Sequence, residues 1–303
     1  MSGAQSSSAP APGSGQAWLL AIRPRTLAVA VGPVAVGTAV ASVSDRANPL
    51  VALAALVGAL LLQIACNFAN DVYDSEKGAD NDDRLGPPRA VQLGLLSPAA
   101  LRRGMWATFG LAGLVGLYLA FVAGWPVIAI GLVSMVAAFA YTGGPYPLGY
   151  HGLGDLAVFI FFGVVAVVGT EYVQSLRFSS AALGASVPVG MLATAVLVVN
   201  NLRDVDTDRA ASKRTLAVRM GARGARIEYA FLVAGAYLVP FGIWLADERS
   251  AWVLLPAVSA PLAVRLLRTV RSGAAGAALN PVLAATAQLG LVFSLLFALG
   301  YCL

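Results

Sequence analysis

Nine apolar runs recur along the chain, each long enough to cross a bilayer: roughly 27–44, 49–71, 105–123, 125–141, 154–174, 182–203, 226–245, 252–268 and 282–301. A span needs about 20 predominantly apolar residues as a helix, and backbone groups in lipid must be satisfied within the structure itself. The runs are continuous rather than alternating, which selects helices over a membrane barrel. Only 12% of the 303 residues are charged, about half of what soluble domains carry. The fold expected is therefore all-α and integral to the membrane, with nine transmembrane helices. Residues 1–16, rich in Ser, Ala, Pro and Gly and without charge, read as a disordered cytoplasmic tail rather than a signal peptide. Residues 17–303 read as one transmembrane domain.

The basic residues orient the bundle. With the N-terminus inside and the spans alternating, 17 of the 20 Lys and Arg residues fall inside, and only Arg46, Arg177 and Arg249 fall outside. This satisfies the positive-inside rule for a multi-pass protein of the plasma membrane with a cytoplasmic N-terminus. It also accounts for the net charge of +5 without a nucleic-acid partner. Cys66 and Cys302 lie in different spans, and His151 is the sole histidine; they suggest neither a disulfide framework nor a Cys/His metal site.

Two inner loops carry carboxylates that a membrane protein should avoid. The first, after span two, holds Asn70, Asp71, Asp74, Lys77, Asp80, Asp82, Asp83, Arg84 and Arg89. The second, after span six, holds Asn200, Asp204, Asp206, Asp208, Lys213 and Arg214. Asn70 and Asp74 are four apart, as are Asn200, Asp204 and Asp208 in turn, so on a helix each set shares one face. Asp206 points about 160° away from its neighbours and is left out. Like charges at this spacing repel, and near lipid they are costlier still. A bound cation relieves both penalties. Oxygen donors suit Mg²⁺, which is commonly completed by substrate phosphate oxygens. Lys77, Arg84, Arg89, Lys213 and Arg214 are placed to hold the same phosphates. The pair of loops reads as a Mg²⁺–diphosphate site at the mouth of a membrane cavity. A solvated acid–base loop explains one cluster well enough, but not two with matching spacing on the same side. A transporter would instead place its acids near the bilayer midplane on broken helices.

The paired Asp-rich loops on nine helices resemble the UbiA superfamily of intramembrane aromatic prenyltransferases, folded as a bundle around a central cavity. The segments "RPRTL" (23–27), "NDVYDSEKGAD" (70–80), "RLGPPRAVQLGLLSP" (84–98), "YTGGPYPLGYHGLGD" (141–155), "NNLRDVDTDRAASKRTLAVR" (200–219) and "LNPVLAATAQLG" (279–290) are similar to one branch, the 1,4-dihydroxy-2-naphthoate polyprenyltransferases of menaquinone synthesis. The resemblance implies a Mg²⁺-dependent reaction in which a polyprenyl diphosphate alkylates 1,4-dihydroxy-2-naphthoate, with loss of diphosphate and CO₂, to give demethylmenaquinone. It implies Asn70, Asp71, Asp74, Asp80, Asp204 and Asp208 as metal ligands. The superfamily often has another Asp four residues after Asp74; Gly78 stands there, as in the naphthoate branch, and Asp80 follows two later. Asn70, Asn200, Lys77, Arg84, Arg89, Lys213 and Arg214 are expected to bind substrate. Tyr141, whose ring face can steady a cation, is expected beside the reacting carbon with Asp74, Asp204 and Asp208. Asp155 is expected either near the ring substrate or as a charge at a helix N-terminus. The alternative is the same fold with another acceptor, such as 4-hydroxybenzoate.

Overall fold

The computed structural model describes residues 10–79, 84–246 and 249–303. Asp80, Asp82 and Asp83 lie outside the described residues, as does most of the expected tail. A short helix, α1 (Gly15–Ile22), precedes α2 (Pro24–Ser42), α3 (Pro49–Glu76), α4 (Pro98–Ala123) and α5 (Pro126–Ala140). Then come α6 (Gly154–Ser175), α7 (Ser180–Arg203), the short α8 (Val205–Ala210), α9 (Leu216–Leu245), α10 (Ala251–Arg271) and α11 (Gly276–Cys302). Eight of these helices are long and apolar enough to span a membrane, and α5 is a shorter ninth. The nine coincide with the nine apolar runs.

Local sequence sets where each helix starts. Side chains of Ser14, Asn48, Ser97, Ser179 and Thr215 accept hydrogen bonds from the first-turn amides of their helices, removing otherwise orphaned donors. Proline stands in the first turn of α2, α3, α4 and α5, where its missing N–H costs nothing. α3 runs on to Glu76 rather than stopping near residue 71, giving 28 residues. That is about 42 Å at 1.5 Å per residue, against a hydrocarbon core of about 30 Å. Its last turns, which carry Asn70 and Asp74, therefore project beyond the apolar slab. This is how an apolar helix tolerates running straight into carboxylates.

Two packed bodies flank a cavity. The larger core joins residues of α2, α6, α7, α9, α10 and α11, with Tyr229, Phe293 and Phe297 fully buried. The smaller joins α1, α3, α4 and residues 90–96 around Phe68, Leu101 and Met105. Helices approach closely through small residues: a Cβ at Gly163 of α6 would stand 2.7 Å from the Gly190 Cα of α7. Gly163 lies in a π-helical stretch, Phe159–Val165, inside α6. The loops after the second, fourth, sixth and eighth spans meet at one end. There Asn280 Nδ2 donates to the Leu85 carbonyl (2.9 Å), the Arg214 amide to Tyr150 (3.0 Å), and Arg226 to Ala274 (3.3 Å).

Gly163→Val is expected to force α6 and α7 apart, at about 1–3 kcal/mol. A thermal midpoint in detergent equal to that of the parent protein would refute this packing.

Candidate active site

The first motif closes on itself through residues 84–97, which fold back over the end of α3. Asp74, only 3% exposed, accepts from the Tyr150 hydroxyl at Oδ1 (2.7 Å) and pairs with Arg89 Nη2 at Oδ2 (2.8 Å). Arg89 also donates to the Asn70 carbonyl (2.6 Å). The Asn70 side-chain oxygen accepts from the Thr142 hydroxyl (2.9 Å), and Lys77 Nζ donates to the Thr142 carbonyl. Asp74 stays beside the cluster with lone pairs to spare, since a carboxylate offers about four acceptor positions.

Asp71 does not join this set. Its oxygens accept from the backbone amides of Ala90 (3.2 Å) and Val91 (3.4 Å). Successive helical residues are turned about 100° from one another, so adjacency to Asn70 aims Asp71 at the returning loop instead. Its charge fixes the loop that delivers Arg89.

The second motif is not one uninterrupted helix. α7 ends at Arg203, Asp204 adopts φ −100°, ψ 11°, and α8 restarts at Val205. Hydrogen bonds from Asp204 N to Asn200 O (3.2 Å) and from Asp208 N to Asp204 O (2.7 Å) cross the break, so the shared face survives. Arg203, 4% exposed, straps it together. Its guanidinium grips Asp204 through Nε (2.8 Å) and Nη2 (2.5 Å), and reaches Asn200 Oδ1 (2.8 Å) and Asn280 Oδ1 (3.0 Å). Gly86 of the first loop lies against the same group; a Cβ there would come within 2.8 Å of Arg203 Nη2. Asp206 faces away, 93% exposed and paired with Arg209 at 3.1 Å.

Asp208 is only partly satisfied. Lys213 Nζ stands 3.4 Å from Oδ1, while the buried Oδ2 has no hydrogen-bond partner among the described residues. Burial pushes its carboxyl up to about 6, against the pull of Lys213. Burial works to lower the Lys213 ammonium, but Asp74 and Asp208 outweigh it and raise its pKa.

Tyr150 joins the two motifs. Its hydroxyl holds Asp74, and Lys77 and Lys213 stand over its ring at 4.6 and 5.3 Å from the centroid. One lysine belongs to each motif. Sequence reasoning passed over Tyr150, Thr142, Arg203 and Asn280, although the quoted segments contain all four.

The remaining expected residues divide. Tyr141 lines the cavity. Asp155 is 6% exposed and its Oδ2 lacks a partner among the described residues. Arg84 donates to the Pro87 carbonyl (2.9 Å) within its own loop. Arg214 engages Tyr150 through its backbone amide, while the residue itself is exposed.

From this polar head a mostly apolar cavity runs between the two packed bodies, walled by α2 to α6. Cys66 and Tyr141 stand at its head, Phe161 and Phe162 on one side, and Leu119, Val127 and Val173 at its far end.

The UbiA prenyltransferase family matches residues 30–280. The chain belongs to this family. It is 43% identical to a 1,4-dihydroxy-2-naphthoate octaprenyltransferase from Mycobacterium tuberculosis over 281 residues, covering 93% of this chain and 95% of that one. A protein of the same description from Escherichia coli is 40% identical, with 94% of each chain covered. The structure of a UbiA homolog from Archaeoglobus fulgidus bound to DMAPP and Mg²⁺ superposes with a TM-score of 0.66, at 13% identity, over 94% of this chain and 98% of that one. This UbiA member thus shares the family bundle, and the nine-helix expectation agrees with it.

The donor set fits a metal that relies on its substrate. Among the described residues no three His, Cys, Asp or Glu side chains gather into a ready-made cage. The acids stand in two separate groups, and the orphaned Asp208 Oδ2 is an oxygen awaiting a cation. Mg²⁺ characteristically takes one or two carboxylates and completes its shell with water and phosphate.

Arg203→Lys keeps the charge but not the fork. Hydrogen bonds to charged groups are worth about 1.5–3 kcal/mol, so prenyl transfer is expected to fall about tenfold or more. Turnover equal to the parent protein's would refute the strap.

Proposed function

We propose that this chain transfers a polyprenyl group from polyprenyl diphosphate to 1,4-dihydroxy-2-naphthoate, releasing diphosphate and CO₂, at the cytoplasmic face of the plasma membrane. The reading rests on one observation above all: two carboxylate motifs meet through Tyr150 at the polar head of an apolar cavity. The two relatives that align along nearly the whole chain support the acceptor.

Asn70, Asp74, Asp204 and Asp208 would hold Mg²⁺, with Asn200 oriented beside them by Arg203. Bound Mg²⁺ supplies positive charge that stabilises the departing diphosphate. Asp80 remains a candidate ligand outside the described residues, and Asp71 is assigned to the loop. Arg89, Lys77 and Lys213 bind phosphate oxygens, with Arg84 at the loop edge; Arg214 contributes through its backbone. As the allylic carbon–oxygen bond breaks, its electron pair leaves with the diphosphate. The ring face of Tyr141 steadies the allylic cation, while the cavity walls exclude the water that would quench it. The carboxylated ring carbon forms the new bond, and loss of CO₂ returns an electron pair to the ring. No strong base is needed at that carbon. Asp155, buried within the field of Tyr141, sets the position of the ring substrate. Donors fixed before the reaction are the effective ones, since they do not reorganise during it.

Turnover by the full chain in detergent, with 1,4-dihydroxy-2-naphthoate and a long-chain prenyl diphosphate, tests the reaction. The expected product has gained the prenyl group and lost CO₂, and chelating Mg²⁺ abolishes its formation. Product with 4-hydroxybenzoate alone would move the acceptor; product with no aromatic acceptor would overturn the reading. Asp74→Ala and Asp204→Ala are each expected to abolish turnover in protein that still folds in membranes. Retained activity in either would sink the two-motif metal site. Tyr150→Phe, which keeps the ring but frees Asp74, is expected to lower kcat/KM by about tenfold; an unchanged value would remove Tyr150 from the site.

A further inference from the structure

One half-buried cation, with a single buried nitrogen, has no part in the contacts described so far. Arg23 sits at the corner between α1 and α2 with φ 56°, ψ 69°, a left-handed conformation unfavourable for a residue with a Cβ. The corner is held from several sides. The Arg23 carbonyl accepts from the Thr26 amide and hydroxyl, both at 2.9 Å. Asn67 of α3, 3% exposed, donates from Nδ2 to the Ile22 carbonyl (2.9 Å) and the Thr26 hydroxyl (3.0 Å). α1 is seated in turn: Trp18 meets Phe68 edge-on at 5.7 Å, and a Cβ on Gly104 would stand 2.7 Å from its indole. Backbone strain maintained by surrounding structure is a mark of functional sites.

This effort presents a guanidinium with one buried nitrogen, Nη2, left unsatisfied among the described residues. Burying an unpaired charged donor is among the costliest arrangements in a fold. Burial and the nearby Arg89 lower its pKa to about 9, which leaves it cationic at neutral pH. Asp71, Asp74 and Arg84 are in its field, and it acts in turn on Cys66. Cys66 lies on the cavity wall, so the guanidinium acts both on the first motif and on the head of the cavity. The neighbouring cations Arg89, Lys213 and Arg203 each share their charge with a carboxylate, Asp74, Asp208 and Asp204 in turn.

We propose that Arg23 receives a substrate oxyanion, either the carboxylate of the aromatic acceptor or a phosphate oxygen of the prenyl donor. A guanidinium presents paired donors that match both groups, and an anion arriving there would complete the unsatisfied Nη2. The assignment rests on the prenyl-transfer reading above.

The test compares the full chain with Arg23→Gln in detergent. Steady-state kinetics vary each substrate in turn. Thermal midpoints are taken without ligand, with Mg²⁺ and inorganic diphosphate, and with the naphthoate. Without ligand, Arg23→Gln is expected to melt at or near the parent temperature, because the buried Nη2 it removes has no protein partner to lose. KM for one substrate is expected to rise about tenfold or more, equivalent to one charged hydrogen bond, with the other KM little changed. The stabilisation given by the corresponding ligand should also disappear. A rise confined to the acceptor assigns the carboxylate; one confined to the donor assigns the phosphate. Unchanged KM values, or a lower unliganded midpoint with both KM values raised together, would overturn the proposal. Should Arg23→Gln fail to fold, Arg23→Lys decides: an intermediate KM for one substrate supports the oxyanion contact, and parent values for both reject it. If the parent protein itself shows no turnover, the prenyl-transfer reading falls. The melting arm then stands alone: diphosphate or naphthoate must stabilise the parent and not Arg23→Gln.

Discussion

The neutralisation of Asp74 is the interaction on which the rest depends. A carboxylate on the last turns of an apolar helix, nearly sealed from solvent, cannot remain ionised unless cations and donors are brought to it. Arg89 and Tyr150 do this from two different loops. To deliver Arg89, residues 84–97 must fold back along α3, and Asp71 holds them there by accepting two backbone amides. To deliver Tyr150, the loop after α5 must turn inward, and the Arg214 amide fixes it by bonding to the Tyr150 carbonyl. The need to satisfy one buried charge thus gathers three loops at the same end of the bundle over the head of the cavity.

The second motif uses the same logic with a different instrument. Arg203 spends one guanidinium on Asp204, Asn200 and Asn280, and Asn280 passes the restraint on to Leu85. The two motifs are therefore linked twice, through Tyr150 and through this chain of polar contacts. Networks of this kind rigidify when fully satisfied. The atoms left without a partner among the described residues are correspondingly informative: they include an oxygen on Asp208 and, nearby, a nitrogen on Arg23, one suited to a cation and the other to an anion.

The spans were legible because bilayer thickness imposes its length on each apolar run, and caps such as Asn48 and Ser97 stand where the runs begin. Asn70, Asp74, Asp204 and Asp208 were legible because four-residue spacing survives even the break at Asp204. Asp71 misled because adjacency along the chain says nothing about which way a helix turns a side chain. Arg203 read as one more inner-loop charge, since its partner Asn280 lies 77 residues away. Tyr150 was hidden likewise: its bond to Asp74 spans 76 residues, and tyrosines are common at that depth in membrane proteins. Arg23 is visible as a basic residue before the first span, but its strained corner is a product of packing against Asn67 and Phe68.

The cavity has a floor. Leu119, Val127 and Val173 line its far end and belong to a small apolar cluster with Val51, Ala123 and Tyr172. Along α5 the distance from Val127 to Tyr141 is about 21 Å at 1.5 Å per residue. A tail longer than that chamber has to fold within it or pass out between helices among the acyl chains. For such a substrate the surrounding lipid becomes the outer part of the receptor, and bilayer composition enters the affinity as directly as any side chain.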